Sequence, residues 1–447
     1  MANWQNDNVT EQERFPTLSH AGREMLKFLR EHPHAPIYRN ISGNHLTADE
    51  VGHVRAFERE VQNAQVGWQP GAHPIWLDEF VAHCFEATPF YRRYGARPRF
   101  FEDIPPLTRA DLSRHYVSLV PDGLPLDRLI GFATTGTSGH PLQIASYPPV
   151  AASYLAFFKR ALARRGITLA HGRGQVGVVL VGWQKKCWTY VSVTPTMDES
   201  GLAKINLHPN DWRDPADRAK YLDALNTEVY TGDPIAFAEL AKLPLQTRPK
   251  AMLSTSMALL PGMKRELEAH FGCPVIDIYS MNETGPIAAG EPTGHALLQN
   301  HLFVEILGAD GAPVAPGARG EITLTGGFNP YLPLLRYRTG DFAALRFDGL
   351  QPMLVGLEGR PPTTYKTTSG ERINNIDVTH ALQPFALPQF ALHQFGDGSL
   401  KFRARFGPAD PAQVKDALLA LFGPAQRLTI EPLVNDGEKV IQYTSEG

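Results

Sequence analysis

Four stretches of this chain hold residue types that could do chemistry on a phosphorylated ligand. The first, Phe132-Ala133-Thr134-Thr135-Gly136-Thr137-Ser138-Gly139-His140-Pro141, places four hydroxyls and two glycines in six consecutive positions. Glycine lets the backbone approach a ligand closely, and Thr and Ser add hydroxyl donors beside the backbone N–H groups, a combination suited to phosphate. The same composition also makes an ordinary polar turn, and no G-x-x-x-x-G-K-[ST] spacing is present. The second, Asp277-Ile278-Tyr279-Ser280-Met281-Asn282-Glu283-Thr284-Gly285, reads as a strand end running into a polar turn. Glu283 is there either as a plain exposed carboxylate or as an oxygen ligand for a hard cation such as Mg²⁺. The third is Leu335-Arg336-Tyr337-Arg338-Thr339-Gly340-Asp341, followed by Gly356-Leu357-Glu358-Gly359-Arg360. Asp341 either caps its own turn or accepts two hydrogen bonds from a ribose diol. In the fourth, Gly182-Trp183-Gln184-Lys185-Lys186-Cys187-Trp188, two Trp flank two Lys. They would form a flat aromatic pocket closed by cations, or an exposed loop over a packed Trp.

The elements that must position these residues follow from periodicity. Helical patterns cover 20–31 and 46–65, where Thr47 ahead of Asp49 and Glu50 is a helix start, and 76–94. Leu107-Thr108-Arg109-Ala110-Asp111-Leu112 carries another start signal, and the apolar run 129–133 is a strand feeding the Thr/Gly loop. Beyond the loop come helix 149–165, strands 176–181 and 188–193, helix 215–226, strand 227–231, helix 233–242, strand 250–254, helix 260–271 and strand 274–279. Strands separated by helices imply α/β layers and a largely parallel sheet. From 301 to 346 strands and turns replace helices, and after Gly359 the pair Pro361-Pro362 punctuates the chain ahead of strands at 400–406 and 427–433 around a helix at 411–421. The expected fold is α/β. A large N-terminal domain over 1–358 has layered α/β subdomains and a β-rich subdomain, and a small mobile α+β domain covers 359–447.

A chain of 447 residues exceeds the size at which one core stops growing. With 43 basic against 46 acidic residues and a net charge of −3, no basic field points to nucleic acid or an anionic membrane. Cys84, Cys187 and Cys273 are odd in number and widely spaced, which suggests neither a disulfide framework nor a zinc site and fits a reducing cytosol. The polar segment 1–15 has no apolar signal region and no run of about 18 apolar residues occurs. A soluble, unprocessed cytoplasmic protein is expected.

Taken in order and spacing, these strings resemble the adenylate-forming superfamily of acyl-coenzyme A ligases, adenylation domains and luciferases. Thr135 to Pro141 resembles its phosphate loop S-G-T-T-G-K-P, Tyr279 to Glu283 its Y-G-x-x-E, and Tyr337 to Asp341 its Y-R-T-G-D. Ala87-Thr88-Pro89-Phe90-Tyr91 and Ile104-Pro105-Pro106-Leu107-Thr108 are similar to the P-F-Y-R and L-P-x-x-T-K elements of the phenylacetate-coenzyme A ligase branch. The resemblance covers residues 80–375 and implies roles one by one. Thr134, Thr135, Thr137 and Ser138, with Gly136 and Gly139 between them, would hold the β and γ phosphates of ATP. Tyr279 would stack on adenine, with Asp277 and the loop at Ser256 around the purine edge. Glu283 would bind Mg²⁺, Thr284 the α-phosphate, and Asp341 the ribose hydroxyls with Arg360 assisting. Trp183, Lys185, Trp188 and Ser280 fall where relatives line the acyl pocket. Lys439 is the candidate for the lysine that bridges the attacking carboxylate and the α-phosphate.

Three departures stand out. His140 replaces the loop lysine, so a fixed charge becomes a titratable one. The hinge G-R-x-D-D is here Gly359-Arg360-Pro361-Pro362-Thr363, which loses its acidic pivot and fixes φ at the prolines. Glu438 stands where a glycine precedes the family's lysine. The implied activity is ATP- and Mg²⁺-dependent adenylation of a small aromatic carboxylic acid to acyl-AMP and pyrophosphate. Transfer to the thiol of coenzyme A or a carrier protein, or to an amine, would follow. Relatives that adenylylate a phenolic hydroxyl or activate nitrite leave those first substrates open. The rival reading is a nucleotide-binding protein that has lost catalysis. A homodimer is also left open.

Overall fold

The computed structural model describes residues 9–133, 142–359, 363–434 and 440–446. The chain divides into two compact units, one of Met1–Leu18, Ser42–Thr168 and Ile278–Arg360, the other of Ser19–Ile41, Leu169–Asp277 and Pro361–Gly447. One strand, Val275–Met281, gives its first residues to the second unit and its last to the first.

In the first unit the strands are antiparallel, in the order Leu302–Leu307, Arg319–Gly326, Leu334–Asp348, Gln351–Gly359, Gly294–Leu297, Gly285–Glu291 and the end of Val275–Met281. Ile287, Leu297, Ile322, Leu324 and Tyr337 from these strands share a core with Phe85, Phe90 and Tyr91. Each such side chain contributes about 1.5–3 kcal/mol by leaving water. The expected helix at 76–94 is two helices, Leu77–Ala87 and Pro89–Arg92. Thr88, which precedes a proline, is held extended at φ −103 and ψ 116, and that interrupts the helix.

Local signals place two helices that matter for the site. Ala48–Asn63 begins with a capping box in which Thr47 Oγ1 accepts from Glu50 N at 3.3 Å and Glu50 accepts from Thr47 N at 2.9 Å. Thr108 and Asp111 form the same box at the start of Arg109–Arg114. The long strand Leu334–Asp348 is bulged. Arg338 pairs with Thr323 and Phe342 with Glu321, so Thr339, Gly340 and Asp341 face the single residue Ile322. Gly340 takes φ 81 there, its N–H donates to Glu321 Oε1 at 3.0 Å, and Asp341 N–H donates to Thr339 Oγ1 at 3.0 Å. A bulge of this kind re-aims the side chain that leaves it, here Asp341.

His45 is buried in the same unit, with Nδ1–H donating to Glu13 O at 3.0 Å. Burial pushes its pKa down from 6.5 to about 4. The unfolded chain therefore takes up a proton that the folded chain refuses, and the stability present above pH 6.5 is lost as pH falls toward 4. The loss at this position is expected to reach about 3 kcal/mol, and His45→Gln should flatten that part of a urea-unfolding pH profile. An unchanged profile would remove His45 as the cause.

The second unit holds Tyr190–Thr194, Ser200–Asn206, Val176–Gly182, Val229–Gly232, Ala251–Ser254 and residues 275–277, parallel except at the Tyr190–Thr194 edge. Pro234–Leu240 and Pro261–Phe271 connect the successive parallel strands. A further four-stranded sheet, ordered Leu428–Pro432, Leu400–Arg405, Gln389–Gln394 and Tyr443–Ser445, carries the helices Asn375–Leu382 and Pro411–Phe422. The mixed α/β architecture, with its β-rich part and small α+β C-terminal part, agrees with the sequence. Among the described residues no helix is long and apolar enough to cross a membrane.

Candidate nucleotide site

Val275–Met281 carries Asp277 and Tyr279 and turns through Asn282, Glu283 and Thr284 into Gly285–Glu291. Gly285 has φ 67, and a Cβ on it would lie 2.6 Å from Phe328 Cε1 and 2.9 Å from Tyr154 Cε1, so backbone and space both require glycine. The Tyr154 hydroxyl donates to Asn282 O at 3.3 Å. The turn is thereby fixed where Glu283 leaves it.

Two residues of the bulged strand complete the arrangement. The Tyr337 hydroxyl donates to Glu283 Oε1 at 2.6 Å, and Arg109 Nη1 lies 3.5 Å from the same oxygen. The Glu283 side chain is only 2% exposed, so its charge needs these donors. Burial and then the Glu283 carboxylate push the Tyr337 phenol well above its usual range, which keeps it protonated as the donor. Four residues on, the Tyr279 hydroxyl donates to Asp341 Oδ2 at 2.8 Å, and burial followed by the Asp341 charge raises the Tyr279 phenol in the same way. One short stretch of strand thus holds both the carboxylate turn and the tyrosine two residues after Asp277.

Arg109 arrives by backbone stitching. Leu107 N–H donates to Arg336 O at 3.0 Å and Arg338 N–H donates to Leu107 O at 2.8 Å, immediately before the helix Arg109–Arg114 begins. Removing one donor tests the cluster independently of any activity. Tyr337→Phe is expected to lower stability by about 2 kcal/mol in urea unfolding, because a buried acceptor loses its closest partner. No change would mean that this bond does not carry the carboxylate.

Thr284 is buried, while Ser280 and Asp341 are half-buried. Thr134, Thr135, Gly136, Thr137, Ser138, Gly139 and His140 lie outside the described residues, as do Arg360 and Lys439. The strands flanking the Thr/Gly loop, Ile130–Ala133 and Gln143–Ser146, pair antiparallel with Ala133 opposite Gln143. In the second unit Asp277 is half-buried and Ser256 is exposed at φ 69. There the Trp183 ring tilts against His208 at 5.2 Å, while Lys185 is exposed and Trp188 is 43% exposed.

Sequence reasoning did not find Arg109, the Tyr337 hydroxyl or Gln299 as members of the site. Gln299 Nε2 donates to Thr284 O at 2.7 Å and to Pro286 O at 2.8 Å, bracketing Gly285. The Thr108/Asp111 capping box marked the helix that presents Arg109, but nothing local in the chain marks its partner 174 residues away. Among the described residues no three His, Cys, Asp or Glu side chains gather as a metal cage. A single buried carboxylate fits a Mg²⁺ ion that arrives with phosphates and waters as its other ligands.

No family model matches the chain. It is 36% identical over 89 residues to the phenylacetate-coenzyme A ligase of Escherichia coli (strain K12), which is 19% of this chain and 20% of that protein. It is 27% identical over 311 residues to the phenylacetate-coenzyme A ligase of Thermus thermophilus, which is 61% of this chain and 64% of that one. The chain thus spans from a fifth to just under two thirds of the length of these relatives. The crystal structure of 2-hydroxyisobutyryl-CoA ligase in the postadenylation state with 2-HIB-AMP superposes with a TM-score of 0.62 at 17% identity, over 90% of each chain. The chain is related in sequence to the phenylacetate-coenzyme A ligases and has the fold of the adenylate-forming acyl-coenzyme A ligases.

Proposed function

We propose that this protein is an AMP-forming ligase that uses ATP to adenylate a small aromatic carboxylic acid and then passes the acyl group to the thiol of coenzyme A. The observation that carries this reading is the double hold of one bulged strand, Tyr337 on Glu283 and Asp341 on Tyr279. It supports the reading by holding two carboxylates through one strand, Glu283, whose chemistry suits metal-bound phosphate, and Asp341, whose chemistry suits a ribose diol. In the reaction a carboxylate oxygen of the acid bonds to the α-phosphorus as the bond to the pyrophosphate oxygen breaks. Mg²⁺, when bound, offsets the phosphate charge that opposes this approach. Glu283 would be its protein ligand, held in orientation by Tyr337 and Arg109. Thr284 would contact the α-phosphate, Asp341 would accept the ribose hydroxyls, and the ring of Tyr279 would lie on adenine. The loop from Thr134 to Ser138 would grip the leaving pyrophosphate, and Lys439 would neutralise the attacking oxygen.

We also propose the division near residue 359 as the boundary of the part carrying Lys439, and Trp183, Lys185, Trp188 and Ser280 as acyl-pocket residues. Thiol transfer is favoured over amine transfer by the names of the sequence relatives. The test is ATP–pyrophosphate exchange across a panel of acids, phenols and nitrite. Exchange with aryl acids supports the reading, exchange with phenols or nitrite alone redirects it, and ATP binding without exchange favours the degenerate rival.

A further inference from the structure

The first unit holds a buried cation that no carboxylate neutralises. Arg160, in the last turn of the helix Pro148–Ala163, is 6% exposed. Its Nη1 donates to Leu298 O at 2.6 Å and its Nη2 to Ala64 O at 2.7 Å, so two of the five guanidinium N–H groups have protein acceptors and both acceptors are neutral. The acid that bears on it, Glu60, takes its own hydrogen bond from Asn300 Nδ2 at 2.9 Å. Burial, and then repulsion from Arg164, push the Arg160 pKa down to about 10, which leaves it charged at neutral pH. A buried guanidinium in that state is costly until an anion meets it.

Arg160 lines an open cleft of about 350 Å³. Its Nε–H has no protein acceptor and is not occluded, so that donor opens on this space. Arg164 follows four residues on and lines the same cleft, with Nη2 donating to Gln351 Oε1 at 2.5 Å. Gln351 is fixed in turn, its Nε2 donating to Leu297 O at 3.3 Å and Pro352 O at 3.1 Å. The wall at Leu350 is rigid too. Gly67 takes φ 139, a Cβ on it would lie 1.9 Å from Leu350 O, and Trp68 N–H donates to that oxygen at 3.2 Å. Gln65 and the one acid of the lining, Asp348, are exposed, so water screens the Asp348 charge far more than that of Arg160.

We propose that this cleft binds a small oxyanion, a phosphate or a carboxylate, whose oxygens accept from Arg160 Nε–H and from the Arg164 guanidinium. Two guanidinium groups four residues apart repel each other until an anion lies between them, and their planar forks suit the oxygens of either group. The walls are already held, so little ordering opposes binding. None of Tyr279, Glu283, Thr284 and Asp341 lines the cleft, which separates it from the residues offered to nucleotide.

The probes are inorganic phosphate and acetate, titrated by calorimetry into the whole protein at constant ionic strength, with selenate soaked into crystals to locate the anion by its anomalous scattering. The expected result is millimolar or tighter binding of at least one probe, with selenate density within hydrogen-bond reach of Arg160 Nε; the tighter probe names the occupant. Arg164→Gln removes one donor group, and Gln65→Glu places a competing carboxylate at the exposed edge. Each should weaken that binding by about tenfold or more. Selenate found only elsewhere, or affinities that both variants leave unchanged, would overturn the proposal. Selenate at Arg160 without calorimetric binding of either probe in the millimolar range would mark an adventitious ion only and overturn it as well. ATP–pyrophosphate exchange is not among these readouts, so the site stands or falls independently of the proposed ligase activity.

Discussion

Glu283→Gln is expected to lower ATP–pyrophosphate exchange by about 100- to 1000-fold with little loss of stability. The substitution keeps an acceptor for the Tyr337 hydroxyl, which lies 2.6 Å from Glu283 Oε1, so the turn retains its hold. What it removes is the negative charge, and a neutral amide is a poor partner for Mg²⁺ on a triphosphate. The Arg109 guanidinium, 3.5 Å from that oxygen, then faces a neutral amide. Raising Mg²⁺ should restore part of the rate if the loss is in metal affinity. A decrease below tenfold at saturating ATP would remove Glu283 from the metal role.

Lys439→Ala is expected to reduce exchange by a similar factor while ATP affinity, read by calorimetry, stays within about threefold. The reason is chemical. Attack of a carboxylate on a phosphate brings two anions together, and an ammonium placed between them acts mainly where that repulsion peaks. The effect should therefore fall on kcat for the acid rather than on nucleotide binding. Glu438 beside Lys439 is an unusual neighbour for this role, and unaltered turnover in Lys439→Ala would end the assignment.

How much of this was readable in the chain depends on how local the signal is. The capping boxes at Thr47/Glu50 and Thr108/Asp111 span only three residues, so their helices could be placed from sequence. The parallel strands at Val176–Gly182 and Ala251–Ser254 are short apolar runs and are equally plain. Ser200–Asn206 was missed because Ser200, Lys204 and Asn206 interrupt its apolar pattern, although Ser200 and Asn206 are fully buried in the structure. Gln389–Gln394 escaped for the same reason, with buried glutamines at both ends of a strand that sits between two others.

At the site, residue types were legible and their pairing was not. Glu283 and Asp341 were picked out by chemistry and by resemblance to known motifs. That Tyr337 would hold the one while Tyr279 holds the other depends on strand register and on the bulge at Thr339 to Asp341, which no local spacing encodes. Gln299 was invisible because a buried amide looks like any surface glutamine until the carbonyls of Thr284 and Pro286 are placed against it.

Adenylation leaves an acyl-adenylate on the protein that can be trapped. The protein is incubated with ATP, Mg²⁺ and aryl acids in the absence of any thiol, and the bound products are weighed by mass spectrometry. The predicted result is a species with the mass of acid plus AMP less one water, accompanied by an equal amount of pyrophosphate. Release of ADP and phosphate, or ATP retained intact with every acid, phenol and nitrite tried, would contradict it.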